Sequence, residues 1–270
     1  MKLFINRNFF SLVNRETQRF LALYKQTVMP GLISTALYIL VFGAALGDRI
    51  DQKGAPNETP YIIYIIPGLI MMAVINHAYQ NSSSSIMQAK FLKFIDDVLI
   101  TPLSGIEIAF GYIIGGVLRG VITGISIILM CFLLEKIEII KDTFYIHNYI
   151  ATILYIILVS WTFSAIGVIV GVFAKSWDHI GVFTTFIFMP LTMLGGVFWK
   201  VDWLPGIWSL ISKFNPVYWM VSGLRQSMLG PQSIESETIF GLELMICLLF
   251  CLFFSGIASY LVSKGYRIKS

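Results

Sequence analysis

The chain has 270 residues, of which 57% are hydrophobic and 13% charged, with a formal net charge of +4 and a mean hydropathy of +0.79. A water-soluble fold could not hide that much apolar surface, so the composition excludes one and directs the apolar majority to lipid. Unbroken apolar runs about twice the length of the roughly ten alternating residues of a barrel strand predict α-helices rather than a transmembrane barrel.

In chain order, residues 1–26 carry Lys2, Arg7, Arg15, Arg19 and Lys25 among aromatics. They lack the compact apolar core and small-residue cleavage site of a secretory signal, so the segment is expected to be retained. Phe9, Val13, Phe20 and Tyr24 fall near one helical face and Arg15 and Arg19 elsewhere, which predicts a helix in the membrane interface; an irregular basic leader is the alternative. Six crossings follow, at about 27–46, 61–79, 106–134, 149–173, 180–198 and 239–262. The connections are 47–60, with two prolines and five charges, a loop opened by polar residues 81–85, then 135–142 and the short 175–179. Segment 199–237 is aromatic and rich in Pro and Gly, with apolar pieces of about 10–14 residues, too short to cross, so re-entrant or interfacial half-helices are expected. The expected fold is one all-α membrane domain over 1–270, with six transmembrane helices, an N-terminal interfacial helix and outer re-entrant helices between the fifth and sixth spans.

Six crossings put both termini on one side. The N-terminal leader, Lys90, Lys93, Lys175, Lys264, Arg267 and Lys269 contribute eleven Lys and Arg to that side. Arg49, Lys53, Lys136, Lys141, Lys200, Lys213 and Arg225 give seven to the other, which predicts cytoplasmic termini and puts 199–237 outside.

No GxxxxGK[ST] phosphate loop, HExxH or GxSxG string occurs, so a transporter hydrolysing its own ATP is not expected, any energy source must lie on another chain, and no catalytic residue is expected. His77, His147 and His179 lie far apart near span ends and read as interface histidines. Cys131, Cys247 and Cys251 sit in apolar runs and read as packing, without a disulfide framework or metal site. Gly111 and Gly115, then Gly116, Gly120 and Gly124, recur every four residues in the third crossing, as do Gly167 and Gly171 in the fourth. This is small-xxx-small packing, either within one subunit or between subunits. Arg119 lies near the middle of the third crossing, where an unpaired guanidinium is costly. It either serves a pathway for an anionic or polar substrate or snorkels, with Glu107 and Glu243 as candidate partners. Between the second and third crossings, Phe91, Phe94, Ile95 and Leu99 approximate an apolar stripe on a helix ending at Pro102. Lys90, Lys93, Asp96 and Asp97 offer charges to a soluble partner; a helix flat on lipid would use the same stripe.

Stretch 195–225 then carries Phe198 after the fifth crossing, Leu204 and Pro205, Asn215 and Pro216 about ten residues on, and Arg225. This order resembles the permease subunits of the ABC-2 family of ATP-binding cassette exporters, which includes drug and polysaccharide exporters. Many members carry a proline just after the aromatic, where this chain has Trp199 and Lys200. Thr101, Pro102, Leu103 and Ser104, with the glycines and Arg119 that follow, form a second similarity. The resemblance implies a dimer of permeases on two cytoplasmic ATPase subunits, with ATP and magnesium on those partners and no cofactor on this chain. It also implies that the loop at residues 91–99 couples ATP hydrolysis to alternate opening. The expected setting is the inner, plasma membrane of a bacterium, with lipid as neighbour and no nucleic acid. Arg119, Phe198, Trp199, Trp203 and Trp208 are the candidate pathway residues. The tryptophans, Trp219 among them, form either an aromatic belt or an exit lining able to stack on sugars or hold amphiphiles. Pro205 and Pro216 are expected to begin the two half-helices. The expected activity is export of a hydrophobic or amphiphilic compound, with lipid-linked or capsular polysaccharide as the alternative. An ion-gradient-driven carrier or channel ranks lower, because Arg119 apart the spans hold few ionisable groups. No catalytic pair at matching depth supports an intramembrane enzyme.

Overall fold

The computed structural model describes residues 7–45, 59–140, 142–230 and 240–265. Every regular element among them is helical: α1 (Arg7–Ala22), α2 (Tyr24–Thr27), α3 (Met29–Tyr38) continuing into a π-helical turn (Ile39–Ala45), α4 (Tyr61–Phe91), α5 (Ile95–Leu99), α6 (Gly105–Lys136) and α7 (Tyr149–Phe173). There follow α8 (Trp177–Val182), a second π-helical turn (Phe183–Phe188), α9 (Met189–Leu194), α10 (Ile207–Phe214), α11 (Pro216–Leu229) and α12 (Phe240–Ser263). Among the described residues, five helical stretches are long and apolar enough to cross a membrane: Tyr24–Phe42, Tyr61–Phe91, Gly105–Lys136, Tyr149–Phe173 and Gly241–Ser263. Most of the expected loop 47–60, the leader's Lys2, and Lys141, Arg267 and Lys269 lie outside the described residues.

Side chains at the helix starts explain where several begin. Ser104 accepts from the Glu107 amide while the Glu107 carboxylate accepts from the Ser104 amide at 2.7 Å, a capping box that opens α6. Asn148 opens α7 by accepting from the Ala151 amide at 3.0 Å. Asn215 accepts from the Val217 amide at 2.9 Å with Pro216 in the first turn of α11, so Asn-Pro is a helix start. Pro205 differs from expectation: it precedes Gly206, which caps α10 with a φ of 42° that favours glycine.

Helix α4 forms the axis of the bundle, packed against α6 and α7 along its length, with α12 covering the outer side of α6 and α7. The expected loop at 81–85 is instead the interior of α4, which continues to Phe91 rather than ending at Tyr79. The reason is packing. Asn81, Ser82, Ser83 and Ser85 are buried, and Ser82 Oγ meets Ser164 Oγ at 2.6 Å, while Ser164 Oγ donates to the Ile113 carbonyl at 2.8 Å. A Cβ on Gly116 would lie 2.3 Å from Ser164 Oγ and 2.4 Å from Ser82 Oγ, and one on Gly167 would lie 2.5 Å from the Tyr79 carbonyl. Small residues on three helices thus bring the backbones together, and short hydroxyls fill what space remains. Gly120 and Gly124 continue the same face toward α4 and α7, whereas Gly111 and Gly115 face Leu12 and Glu16 of α1.

The end of the bundle that holds α1 also holds the C-terminus of α4 and the N-terminus of α6. At the far end, Tyr61 Oη donates to the Phe198 carbonyl at 2.8 Å and the His147 amide to the Met228 carbonyl at 2.8 Å. These bonds tie the 197–229 region to α4 and α7. Arg225 crosses there too, donating to the carbonyls of Gly196 (2.8 Å) and Tyr64 (3.3 Å) with its guanidinium 3.9 Å over the Tyr64 ring.

The expected fifth crossing at 180–198 is three end-to-end segments, with a helical backbone across both joins and a turn at Gly195 and Gly196. Pro190 lacks an N–H and crowds the carbonyl one turn before it, which accounts for the wider π turn just upstream.

Candidate functional site

The face of α4 not covered by α6 and α7 is a four-residue ladder of Met72, Asn76, Gln80 and Ser84, each partly exposed beside buried neighbours. Spacing of four puts them on one stripe. The stripe borders two adjoining cavities. One, of about 340 Å³, is lined by Gln80, Ser84, Arg119, Ile180, Gly181, Thr184 and Thr185. The other, of about 210 Å³, is lined by Tyr38, Met72, Asn76, Thr184, Thr185, Met189, Thr192 and Met193. Thr184 and Thr185 belong to both, so the cavities form one groove, flanked by α3 on one side and the α8–α9 stretch on the other. Both flanking helices carry a π-helical turn, a feature often found at functional sites.

Arg119 stands at the back of this groove. It is 7% exposed, and both of its hydrogen bonds leave from Nη2, to the Thr27 carbonyl at 2.9 Å and to His77 Nδ1 at 3.4 Å. Neither carboxylate proposed from sequence is its partner: Glu107 belongs to the α6 capping box, and Glu243 accepts from Ser222 Oγ. His77 is correspondingly no interface histidine. It is buried, and a Cβ on Gly31 of α3 would lie 2.3 Å from its Nε2.

The other pathway candidates do not gather around Arg119. Phe198 is buried against Tyr38 and Phe42, with ring centroids 5.6 Å and 5.0 Å away. Trp199 is half-buried next to it, and Trp203 and Trp208 are exposed at the far end. Leu204 and Pro205 lead into α10, whereas Asn215 also donates to the Leu191 carbonyl at 2.6 Å, so the Asn-Pro start is anchored to the end of α9.

At the α1 end, the expected helix from Gln88 through Pro102 is broken. Helix α4 stops at Phe91, Lys93 adopts a φ of 58°, and α5 is a separate short helix. The stripe is therefore divided: Phe91 is exposed, Ile95 is buried, and Phe94 lies under the Arg15 guanidinium, 5.3 Å from it. Asp97 and Lys93 are exposed; the side chains of Asp96 and Leu99 lie outside the described residues. Lys90 does not offer its charge to solvent. Its Nζ donates to the carbonyls of Val172 (2.8 Å) and Ala174 (2.7 Å) at the end of α7, a cation on a helix C-terminus.

One cluster was not anticipated from sequence. Glu16 of α1 is 1% exposed and holds Arg15 at 3.0 Å and Arg19 at 3.5 Å while accepting from Ser85 Oγ. Arg19 donates on to the Asn81 carbonyl at 2.8 Å and reaches Ser84 of the groove stripe at 3.5 Å. Burial pushes the Arg19 guanidinium below its ordinary pKa, with Glu16 acting against that shift. The signal was present in the spacing. Phe9, Leu12, Glu16 and Phe20 are the buried residues of α1, so Glu16 sits in the apolar register, and the buried face is rotated away from the expected Val13 and Tyr24.

Residues 7–229 match the ABC-2 type transporter family. The inner membrane transport permease YadH of Escherichia coli K12 is 36% identical over 260 residues, 96% of each chain. Nodulation protein J of Rhizobium leguminosarum bv. viciae is 21% identical over 209 residues, covering 76% of this chain and 75% of that protein.

Proposed function

Because the chain belongs to the ABC-2 type transporter family, we propose that it is the permease subunit of an ATP-binding cassette exporter in a bacterial inner membrane. ATP and magnesium act on a separate cytoplasmic subunit, and the cargo is a hydrophobic or amphiphilic compound. The observation that carries this is the groove along α4. A helix otherwise enclosed by its neighbours leaves one polar stripe open, between two helices whose outward faces are apolar: Ile33, Leu37 and Val41 on one side, Phe186 and Met189 on the other. A second copy of the chain meeting those faces would close the groove into a conduit. The similarity to an inner membrane transport permease supports the inner-membrane setting.

The six-crossing topology, with cytoplasmic termini, is part of the proposal. The α8–α9 stretch is three six-residue segments, and at about 1.5 Å per residue it reaches ~27 Å, close to the hydrocarbon thickness. With that crossing, α10 and α11 become outer half-helices, and α1, α5 and the end of α4 face the cytoplasm. Exposed Phe91, Leu92 and Ile100 then form an apolar projection beside Lys93 and Asp97, suited to an ATPase groove. The polysaccharide alternative is favoured by one feature, the exposed Trp203 and Trp208 at the proposed exit, whose faces can stack on sugars.

Co-expression with an ATPase encoded beside it should yield a stable complex. Lys93→Glu, which touches only the exposed turn, should lower ATPase stimulation in the reconstituted complex. Failure to co-purify with any such ATPase contradicts the function, and unchanged stimulation removes the turn from coupling.

A further inference from the structure

Among the described residues, no anion pairs with the buried cation of the groove. Among the described residues both salt bridges belong to Glu16, with Arg15 and Arg19 as its partners, and neither reaches Arg119. Arg119 is bonded only through Nη2, to a carbonyl and an imidazole nitrogen, and its Nε finds no partner. A guanidinium enclosed in a lipid-embedded bundle with neutral partners alone leaves its charge uncompensated, a condition expected where a ligand supplies the opposite charge. The arginine borders the larger cavity, where the Gln80 amide and the Thr185 hydroxyl can donate hydrogen bonds to oxyanion oxygens, while the hydroxyls of Ser84 and Thr184 donate to the Asn81 and Ile180 carbonyls. Arg19 adds a second cation nearby through its contact with Ser84. Beyond the shared threonines the lining is Tyr38, Met72, Met189 and Met193 with Asn76 and Thr192, whose side chains donate to the Met72 and Phe188 carbonyls, and the three methionines give it a soft apolar surface that adapts to varied shapes.

We infer that the groove selects amphiphiles with an anionic head, a phosphate or carboxylate, bound by Arg119 while the apolar body lies along the methionines. This rests on the groove being the transport pathway. It narrows the substrate class from amphiphiles in general to acidic ones, and it excludes neutral and cationic compounds as preferred cargo.

The test uses the full chain in phosphatidylcholine nanodiscs with Thr185→Cys as a maleimide target, since the native Cys131, Cys247 and Cys251 are buried. Dodecyl phosphate, monolauroyl glycerol and dodecyltrimethylammonium are compared as protecting agents. Dodecyl phosphate should protect at a concentration about tenfold or more below the neutral compound, as expected of a charge-assisted contact. Arg119→Gln should abolish the difference and Arg119→Lys should retain most of it. Replacing part of the lipid with phosphatidylglycerol separates the sources: protection by lipid alone, lost in Arg119→Gln, assigns the anion to the bilayer rather than the cargo. Equal protection by the phosphate and the neutral compound overturns the inference and leaves the pathway reading standing. Protection by none of the three overturns both, and an anion preference that survives Arg119→Gln removes Arg119 from the site. The wild-type comparison needs no variant of Arg119, so a misfolded Arg119→Gln protein cannot decide the result.

Discussion

Glu16 joins α1 to the bundle through charge rather than apolar contact. Its carboxylate accepts from Ser85 on α4 and balances Arg15 and Arg19, whose side chains continue to Tyr112 of α6 and to Asn81 and Ser84 of α4. Removing one member of such a set leaves the others desolvated without compensation, so the loss exceeds that of an exposed ion pair. Glu16→Ala should therefore destabilise the chain by about 1.5–3 kcal/mol, the range for hydrogen bonds to charged groups. Thermal unfolding in detergent, with limited proteolysis at α1, would measure it. An unshifted transition and unchanged cleavage would mean that α1 docks through Phe9, Leu12 and Phe20 alone. Lys90 illustrates the same economy of charge: a lysine that looked available to a partner instead closes the end of α7, so charge reversal there would disturb folding as well as coupling.

Among the helices, close approach explains both what was legible in the sequence and what was not. The every-fourth-residue glycines of α6 announced tight packing, and the contacts of Gly116, Gly120 and Gly124 with α4 and α7 supply it. Gly116→Ala should destabilise by about 1–3 kcal/mol, because the new methyl would meet Ser164, Ser82 and the Ala78 backbone. Gly256→Ala, on α12 where a Cβ meets nothing within 4 Å, should be neutral or stabilising by about 0.5–1 kcal/mol. Thermal melts of the two variants side by side test this, and equal destabilisation would contradict the packing. The same interior misled at 81–85, since Asn and four serines resemble a loop until the glycines opposite them are known. Spans at 149–173 and 239–262 were legible because their apolar runs are long and end at clear polar boundaries. The stretch around 88–104 was not: a helical pattern says nothing of the turn at Lys93, where the backbone leaves the right-handed region. The register of α1 carried a signal at Glu16, but its partner on α4 and the open α4 stripe depend on contacts between helices distant in sequence, which no single segment records.

Across the whole molecule, the open groove, the α1 cluster and the turn after α4 lie on connected parts. Arg19 touches Ser84 at one edge of the groove, and Glu16 bonds Ser85 on the same turn of α4, so α1 is in direct contact with the groove lining. In the proposed exporter an ATPase acting on α1, α5 and the end of α4 would move that lining, and opening would alternate between the two membrane faces. The most direct test is maleimide labelling of Thr185→Cys from each side of the membrane in the permease–ATPase complex, with and without trapped nucleotide. Access should pass from the cytoplasmic face to the outer face when nucleotide is trapped, and labelling that stays on one side in both states would contradict the account.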